Sequence, residues 1–243
     1  MKIELETIPV WDGVKSESEC FICDLMNKAE EDALDYYLGP AIMVPEIRVE
    51  INRKGFCPAH FRALAARNKA QSLSLVLDTY MNESKGLTYP VLEKIIASSS
   101  ARKSLKLFDE LDEINAKREK GCLVCDYMNN RLVRYVRTVA ALYRDDEQFR
   151  SALAEGKGFC VHHTLALAHC AKEELSGSLL SDYLSLLARL LKDNLERCQN
   201  DDVYLSQKYK SENKDKPWNG CEDAHKRCVR KLFGESRILS SGR

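Results

Sequence analysis

Apolar residues recur along most of the chain at the three-to-four-residue spacing of a helix buried on one side. Leu25, Ala29, Ala33 and Tyr37 share one face of a segment over 21–38, and Leu38-Gly39-Pro40 stops it. A second helix is predicted over 58–68. A third, over 72–81, gathers Leu73, Val76, Leu77 and Tyr80 on one side. Residues 91–117 alternate apolar and charged positions at helical spacing, broken at Ser98-Ser99-Ser100. Further helices are predicted over 126–143, 161–171 and 179–209, the last rich in leucine (Leu180, Leu184, Leu187, Leu190, Leu191, Leu195). A polar loop over 210–216 precedes a short helix over 221–233, and the tail at 240–243 is expected to be disordered. No segment reads as a strand, so the fold class is all-α.

Superimposed on the helices is a repeated motif. Cys20-x-x-Cys23-Asp24 recurs as Cys122-x-x-Cys125-Asp126, and Lys54-Gly55-Phe56-Cys57-x-x-His60 recurs as Lys157-Gly158-Phe159-Cys160-x-x-His163. Ala63-Leu64-Ala65 is matched by Ala166-Leu167-Ala168, and the inner gaps of 33 and 34 residues are nearly equal. The expectation is two tandem helical modules, each clamped by a Cys3His metal site, with long packing helices. The expected divisions are 1–118, 119–210 with the long helix, and 211–243 with the short helix and tail.

The chemistry follows from spacing. Residues i and i+3 project from one side of a helical turn, so each Cys-x-x-Cys and each Cys-x-x-His can aim both donors at one ion. Four nitrogen and sulfur donors suit tetrahedral zinc. Random placement of ten cysteines gives roughly 0.4 Cys-x-x-Cys pairs and roughly 0.2 Cys-x-x-His pairs, so two of each in matched order are not chance. The expected ligands are Cys20, Cys23, Cys57 and His60 for one zinc ion, and Cys122, Cys125, Cys160 and His163 for a second. His162 is the substitute if the last pair is read one residue short. An iron–sulfur cluster is the alternative occupant, and small buried thiols are the reading without a metal. Asp24 and Asp126 are expected to cap helices or to sit behind the metal. Gly55 and Gly158 suggest tight turns bringing N–H groups near sulfur, and Phe56 and Phe159 are expected to pack beneath the sites. Cys221, His225 and Cys228 share a face of the last helix and are read as a packing face rather than a third site.

Composition narrows the function classes. Lys+Arg and Asp+Glu are both 37, so the chain lacks the basic footprint of a nucleic-acid binder. Residues 208–231 are mildly basic and read as a solvated face. No apolar run reaches membrane-spanning length and the N-terminus does not read as a secretory signal, so a reducing, cytoplasmic location is expected. There ten cysteines serve as ligands or buried thiols rather than disulfides. No Walker A, dinucleotide-binding glycine pattern, nucleophile elbow or His-Glu-x-x-His is present.

The run Ile8-Pro9-Val10-x-Asp12, Cys20-x-x-Cys23, Leu38-Gly39, Ile47-Arg48, Asn52 and Gly55-Phe56-Cys57-x-x-His60 resembles an uncharacterised family found largely in Firmicutes and related anaerobes. The ending Lys216-Pro217-Trp218, Asp223-Ala224 and Leu232-Phe233-Gly234 is similar to that family's C-terminus. Phe21 and Leu123 stand where the family often has proline. The resemblance implies a bacterial origin and the same eight ligands, and no activity. The expected function is a zinc-binding helical scaffold or regulatory protein, not an enzyme, acting on an unidentified protein partner without nucleic acid or membrane. The alternative is a redox- or metal-responsive sensor. A redox-dithiol reading needs a βαβ context that the pattern does not supply.

Overall fold

In a computed structural model that describes residues 5–239, eleven α-helices and no strand are found among the described residues, so the all-α expectation holds. The tail at 240–243 lies outside them. In chain order the helices are α1 (Thr7–Val14), α2 (Phe21–Tyr37), α3 (Pro45–Lys54), α4 (Pro58–Ala65), α5 (Ala70–Ile96), α6 (Ala101–Glu119), α7 (Leu123–Asp145), α8 (Glu147–Glu155), α9 (Val161–Cys170), α10 (Gly177–Lys208) and α11 (Ala224–Phe233). Short 3-10 turns follow α2, α9 and α10.

Three helices go beyond the periodicity. The helices α1 and α3 are short, and α3 buries only Ile51. Helix α8 starts at Asp146, whose carboxylate accepts the N–H groups of Gln148 and Phe149. The segments expected at 72–81 and 91–117 also join differently, because α5 runs unbroken through Pro90. A helical proline lacks an N–H and its ring presses on the carbonyl four residues back. That residue is Gly86, around which a Cβ would meet nothing within 4 Å, so the backbone has room to give. The Ser98–Ser100 break is real and separates α5 from α6.

The chain divides into two compact units: unit 1 is Met1–Ala29 with Met128–Arg243, and unit 2 is Glu30–Tyr127. These units are not the tandem halves divided at 118 and 210. Unit 2 is continuous, whereas unit 1 joins the start of the chain to its second half. In unit 1 the buried face of α7 is Met128, Leu132, Val136 and Val139, at the spacing of one helical side. It shares a core with Val10 of α1, Phe149 of α8, Leu167 of α9 and Tyr183 and Leu187 of α10. Trp11 meets Phe149 edge-on at 5.2 Å, and Tyr143 lies 4.9 Å from Tyr183. In unit 2 the core holds Leu34, Ile51, Phe56, Leu64, Val76 and Val91. An aromatic chain runs Tyr37–Phe56–Phe61–Tyr80 at centroid spacings of 5.2, 5.3 and 5.1 Å. The Arg118 guanidinium of α6 closes it, 4.1 Å over Tyr80.

Gly55 and Gly158 adopt the same backbone, φ +68°, in the turns that lead into the Cys-x-x-His segments. A Cβ on Gly55 would also collide with the Tyr80 ring, and one on Gly158 would stand 3.2 Å from Leu190 Cβ. Gly55→Ala is therefore expected to destabilise unit 2 by about 1–3 kcal/mol, against a gain of about 0.5–1 kcal/mol for Gly86→Ala in open helix. Urea unfolding of the two variants beside the parent checks both signs.

Candidate metal centres

All four cysteine-containing pairs open helices. Cys20 and Cys122 immediately precede α2 and α7, with Cys23 and Cys125 in their first turns, and Cys57 and Cys160 are the N-cap residues of α4 and α9. The first N–H groups of a helix have no partner within it, and sulfur takes up some of them. Cys125 N–H donates to Cys122 Sγ at 3.4 Å and His163 N–H to Cys160 Sγ at 3.4 Å. The N–H groups near sulfur thus come from three residues ahead, while Gly55 and Gly158 set the turn. The positive end of each helix favours thiolate at these positions.

Tertiary structure gathers all eight expected ligands into two tetrads, with the partners exchanged. Site 1 is Cys20, Cys23, Cys160 and His163; site 2 is Cys57, His60, Cys122 and Cys125. Each pairs the Cys-x-x-Cys of one motif copy with the Cys-x-x-His of the other, so the within-copy ligand sets are corrected. The reason is the path of the chain. Helix α2 starts in unit 1 and carries the chain into unit 2, leaving Cys20 and Cys23 behind with Cys160 and His163. Helix α7 starts in unit 2 and leaves Cys122 and Cys125 there. Each tetrad lies wholly inside one unit.

The donor spacing fits a metal ion. In site 1, His163 Nδ1 lies 3.3, 3.4 and 3.4 Å from the sulfurs of Cys20, Cys23 and Cys160, and Cys23 and Cys160 Sγ are 3.9 Å apart. In site 2, His60 Nδ1 lies 3.2, 3.1 and 3.4 Å from Cys57, Cys122 and Cys125. A tetrahedral zinc with ordinary bond lengths sets sulfur–nitrogen edges of about 3.5 Å and sulfur–sulfur edges of about 3.8 Å. All ten cysteines are free thiols, and 3.9 Å is nearly twice a disulfide bond. His163 supplies the ring of site 1, while His162 lies outside the tetrad.

Without metal, each tetrad holds its protons unevenly. Hydrogen bonds from Cys160 and Cys20 pull the Cys23 thiol far down, whereas burial pushes Cys20 up. In site 2 the Cys125 hydrogen bond, aided by His60, holds Cys122 down at about 3 against burial, and Cys122 in turn raises Cys125. Burial alone would lower both histidines. The Cys122 sulfur and the Glu30 carboxylate instead raise His60 to about 10, and Cys160 and Cys23 raise His163 to about 9. The metal-free sites therefore contain imidazolium beside thiolate.

The surroundings include residues that spacing did not reveal. Glu30 Oε1 accepts from His60 Nε2 at 3.1 Å, the carboxylate–histidine arrangement that fixes the tautomer of a metal-bound ring. His163 Nε2 is buried without a partner. Asp24, in the first turn of α2, pairs with Arg230, and Asp126, in the first turn of α7, with Lys54. Lys231 of α11 is fully buried and donates to the carbonyls of Glu19 and Lys157 at 2.5 and 2.6 Å. Glu30 is one acid in an acidic helix, and Lys231 sits in a run read as a solvated face, so no local signal marks either. Lys208, at the other end of that run, is also buried and donates to Asn213 and Lys214 carbonyls. Phe56 and Phe159 are buried as expected. Cys221 joins an apolar cluster with Leu205 and Ala224, His225 is exposed, and Cys228 donates to the Cys198 carbonyl at 3.2 Å. That trio forms no metal-ligating group among the described residues.

Residues 1–238 match a family whose description reads "Family of unknown function (DUF6062)". A protein of Caldicellulosiruptor sp. (strain Rt8B.4), named as an uncharacterized 23.9 kDa protein in xynA 3'region, is 25% identical over 193 residues, 77% of this chain and 84% of its own length. No solved structure matches the chain.

Exchanged partners give opposite outcomes for two double variants. Cys20→Ser with Cys160→Ser damages only site 1 and should leave half of the bound metal, whereas Cys20→Ser with Cys57→Ser should remove both ions. Ligand sets within each copy would give the reverse, and elemental analysis of the purified variants decides. Protons and metal compete for the same donors, and each histidine is protonated below its raised pKa. Affinity at each site should therefore fall with acidification by at least about tenfold per pH unit between pH 8 and 6. Competition with a chromophoric chelator across that range measures the slope.

Proposed function

Because the chain belongs to this family of unknown function, whose description carries no activity, its role is to be read from the two tetrads, and we propose that it is a zinc-stabilised, non-enzymatic scaffold or regulatory protein. The observation that carries the reading is the convergence of four donors at each site, all within 4.8 Å of one another and with sulfur–nitrogen separations of 3.1–3.4 Å, close to those around one tetrahedral ion. Three thiolates and an imidazole are a donor set for zinc, and four protein ligands leave no position for a substrate. On this reading Cys20, Cys23, Cys160 and His163 hold one ion, and Cys57, His60, Cys122 and Cys125 hold the other. The recurrence of motif, φ angle and donor geometry supports an internal duplication.

The partner we propose is a protein. No residue of helix α6 is fully buried, and Leu75, Leu77, Met81, Leu87 and Tyr89 of α5 and Leu105 and Phe108 of α6 are exposed, more apolar surface on one helical pair than isolated residues require. No helix among the described residues is long and apolar enough to cross a membrane, and a reducing, cytoplasmic setting suits ten free thiols. A redox- or metal-responsive role is favoured by one observation, the partial exposure of Cys57 and Cys125.

Protein purified under reducing conditions should carry two equivalents of zinc by elemental analysis. Removing them with a strong chelator should lower the unfolding midpoint, because binding energy at such sites is also folding energy. A metal-free preparation that neither takes up zinc nor gains thermal stability from it would refute the proposal.

A further inference from the structure

The two tetrads have the same donors and different cover. In site 1, Cys20, Cys23, Cys160 and His163 are all 0% exposed. Helix α11 and the turn after it close that site. Lys231 bridges the carbonyls of Glu19 and Lys157, one from each ligand-bearing segment. Glu235 N–H points at Cys23 Sγ from 3.5 Å. Gly234 passes so near that a Cβ there would stand 3.3 Å from Cys160 Sγ and 3.6 Å from Cys23 Sγ.

Site 2 has no such cover among the described residues. At the position of Glu19 in the motif stands Gly121, packed directly against the Lys54 carbonyl with no lysine between. Leu123 N–H donates to the Gly55 carbonyl at 3.1 Å, so two backbone segments hold each other. His60 and Cys122 are buried, at 1% and 4% exposure, but Cys57 and Cys125, one from each segment, remain partly open to solvent.

We propose that site 2 is the exchangeable, oxidant-responsive metal site and site 1 the permanent one; this rests on both tetrads holding metal. The reactant is hydrogen peroxide, small enough to reach a partly exposed cysteine. One thiolate, Cys57 or Cys125, attacks a peroxide oxygen; the O–O bond breaks, a sulfenic acid forms and hydroxide leaves. The other thiolate attacks that sulfur, the S–S bond forms and a second hydroxide leaves. Two electrons from the sulfurs have reduced peroxide to two waters once solvent protonates the hydroxides. The donor atoms of site 2 lie within 4.8 Å of one another, so the second attack needs little movement. Cys122 and His60 alone are too few ligands to retain the ion.

The test uses the full chain loaded with two equivalents of zinc. Dilute hydrogen peroxide is added while a zinc-sensitive dye follows release, and differential alkylation with peptide mass spectrometry locates the oxidised thiols. Half of the zinc should leave at least about tenfold faster than the rest, as access governs thiolate oxidation. A Cys57–Cys125 disulfide should form in step with it, and Cys20, Cys23 and Cys160 should stay reduced. The Cys57→Ser, Cys125→Ser chain should keep the slow half and lose the fast phase. Release of both ions at one rate, retention of both, earlier oxidation of site 1, or a fast phase that survives in the double variant would each overturn the assignment. A chain that takes up no zinc at the start would instead overturn the metal reading beneath it.

Discussion

Everything else in this structure depends on two sets of four donor atoms, each drawn to the separations of a tetrahedron's edges from segments far apart in the chain. In site 1 the histidine nitrogen and its partner sulfurs from the other motif copy are separated by 140 and 143 residues; in site 2 the separations are 62 and 65. Holding such points together closes long loops, whose entropic cost rises only slowly with length. On the proposed reading a shared cation would meet that cost with four strong bonds. The helix starts at each site would then have fixed positions, beside which lie the aromatic chain of unit 2 and, in unit 1, the buried leucines of α10.

How much was legible follows from where the information sits. All eight donors could be read because Cys-x-x-Cys and Cys-x-x-His are local patterns, complete within one helical turn. The pairing could not, because two copies of one motif present identical local signatures, and only the direction taken by α2 and α7 after the cysteines decides which Cys-x-x-His each meets. The long amphipathic helices were readable for the same local reason. Helix α3 escaped because it buries a single residue, and α5 runs on through Pro90, a residue that by local pattern reads as a helix end. Glu30 and Lys231 lay hidden among like-charged neighbours, since burial of one lysine in a basic helix is a property of tertiary packing.

Identical donor sets do not make identical sites. Site 1 is sealed by a C-terminal helix whose buried lysine ties two carbonyls together, and its histidine keeps a buried nitrogen without a partner. Site 2 orients its histidine through Glu30 and leaves Cys57 and Cys125 partly exposed. Proteins built from repeated motifs differentiate in this way: the coordinating atoms are held by geometry, while the shell around them is free to differ.

The exchange of partners has a consequence for synthesis. Cys20, Cys23, Cys57 and His60 are the first four donors to leave the ribosome, and in the finished protein they belong to different sites. At ~5–20 residues per second the chain needs several seconds more before Cys122 and Cys125 are made. During that interval the nascent segment already offers three thiols and an imidazole to any passing cation. A metal captured then would be in the wrong company, and would have to let go of one pair before either tetrad of the folded chain could close.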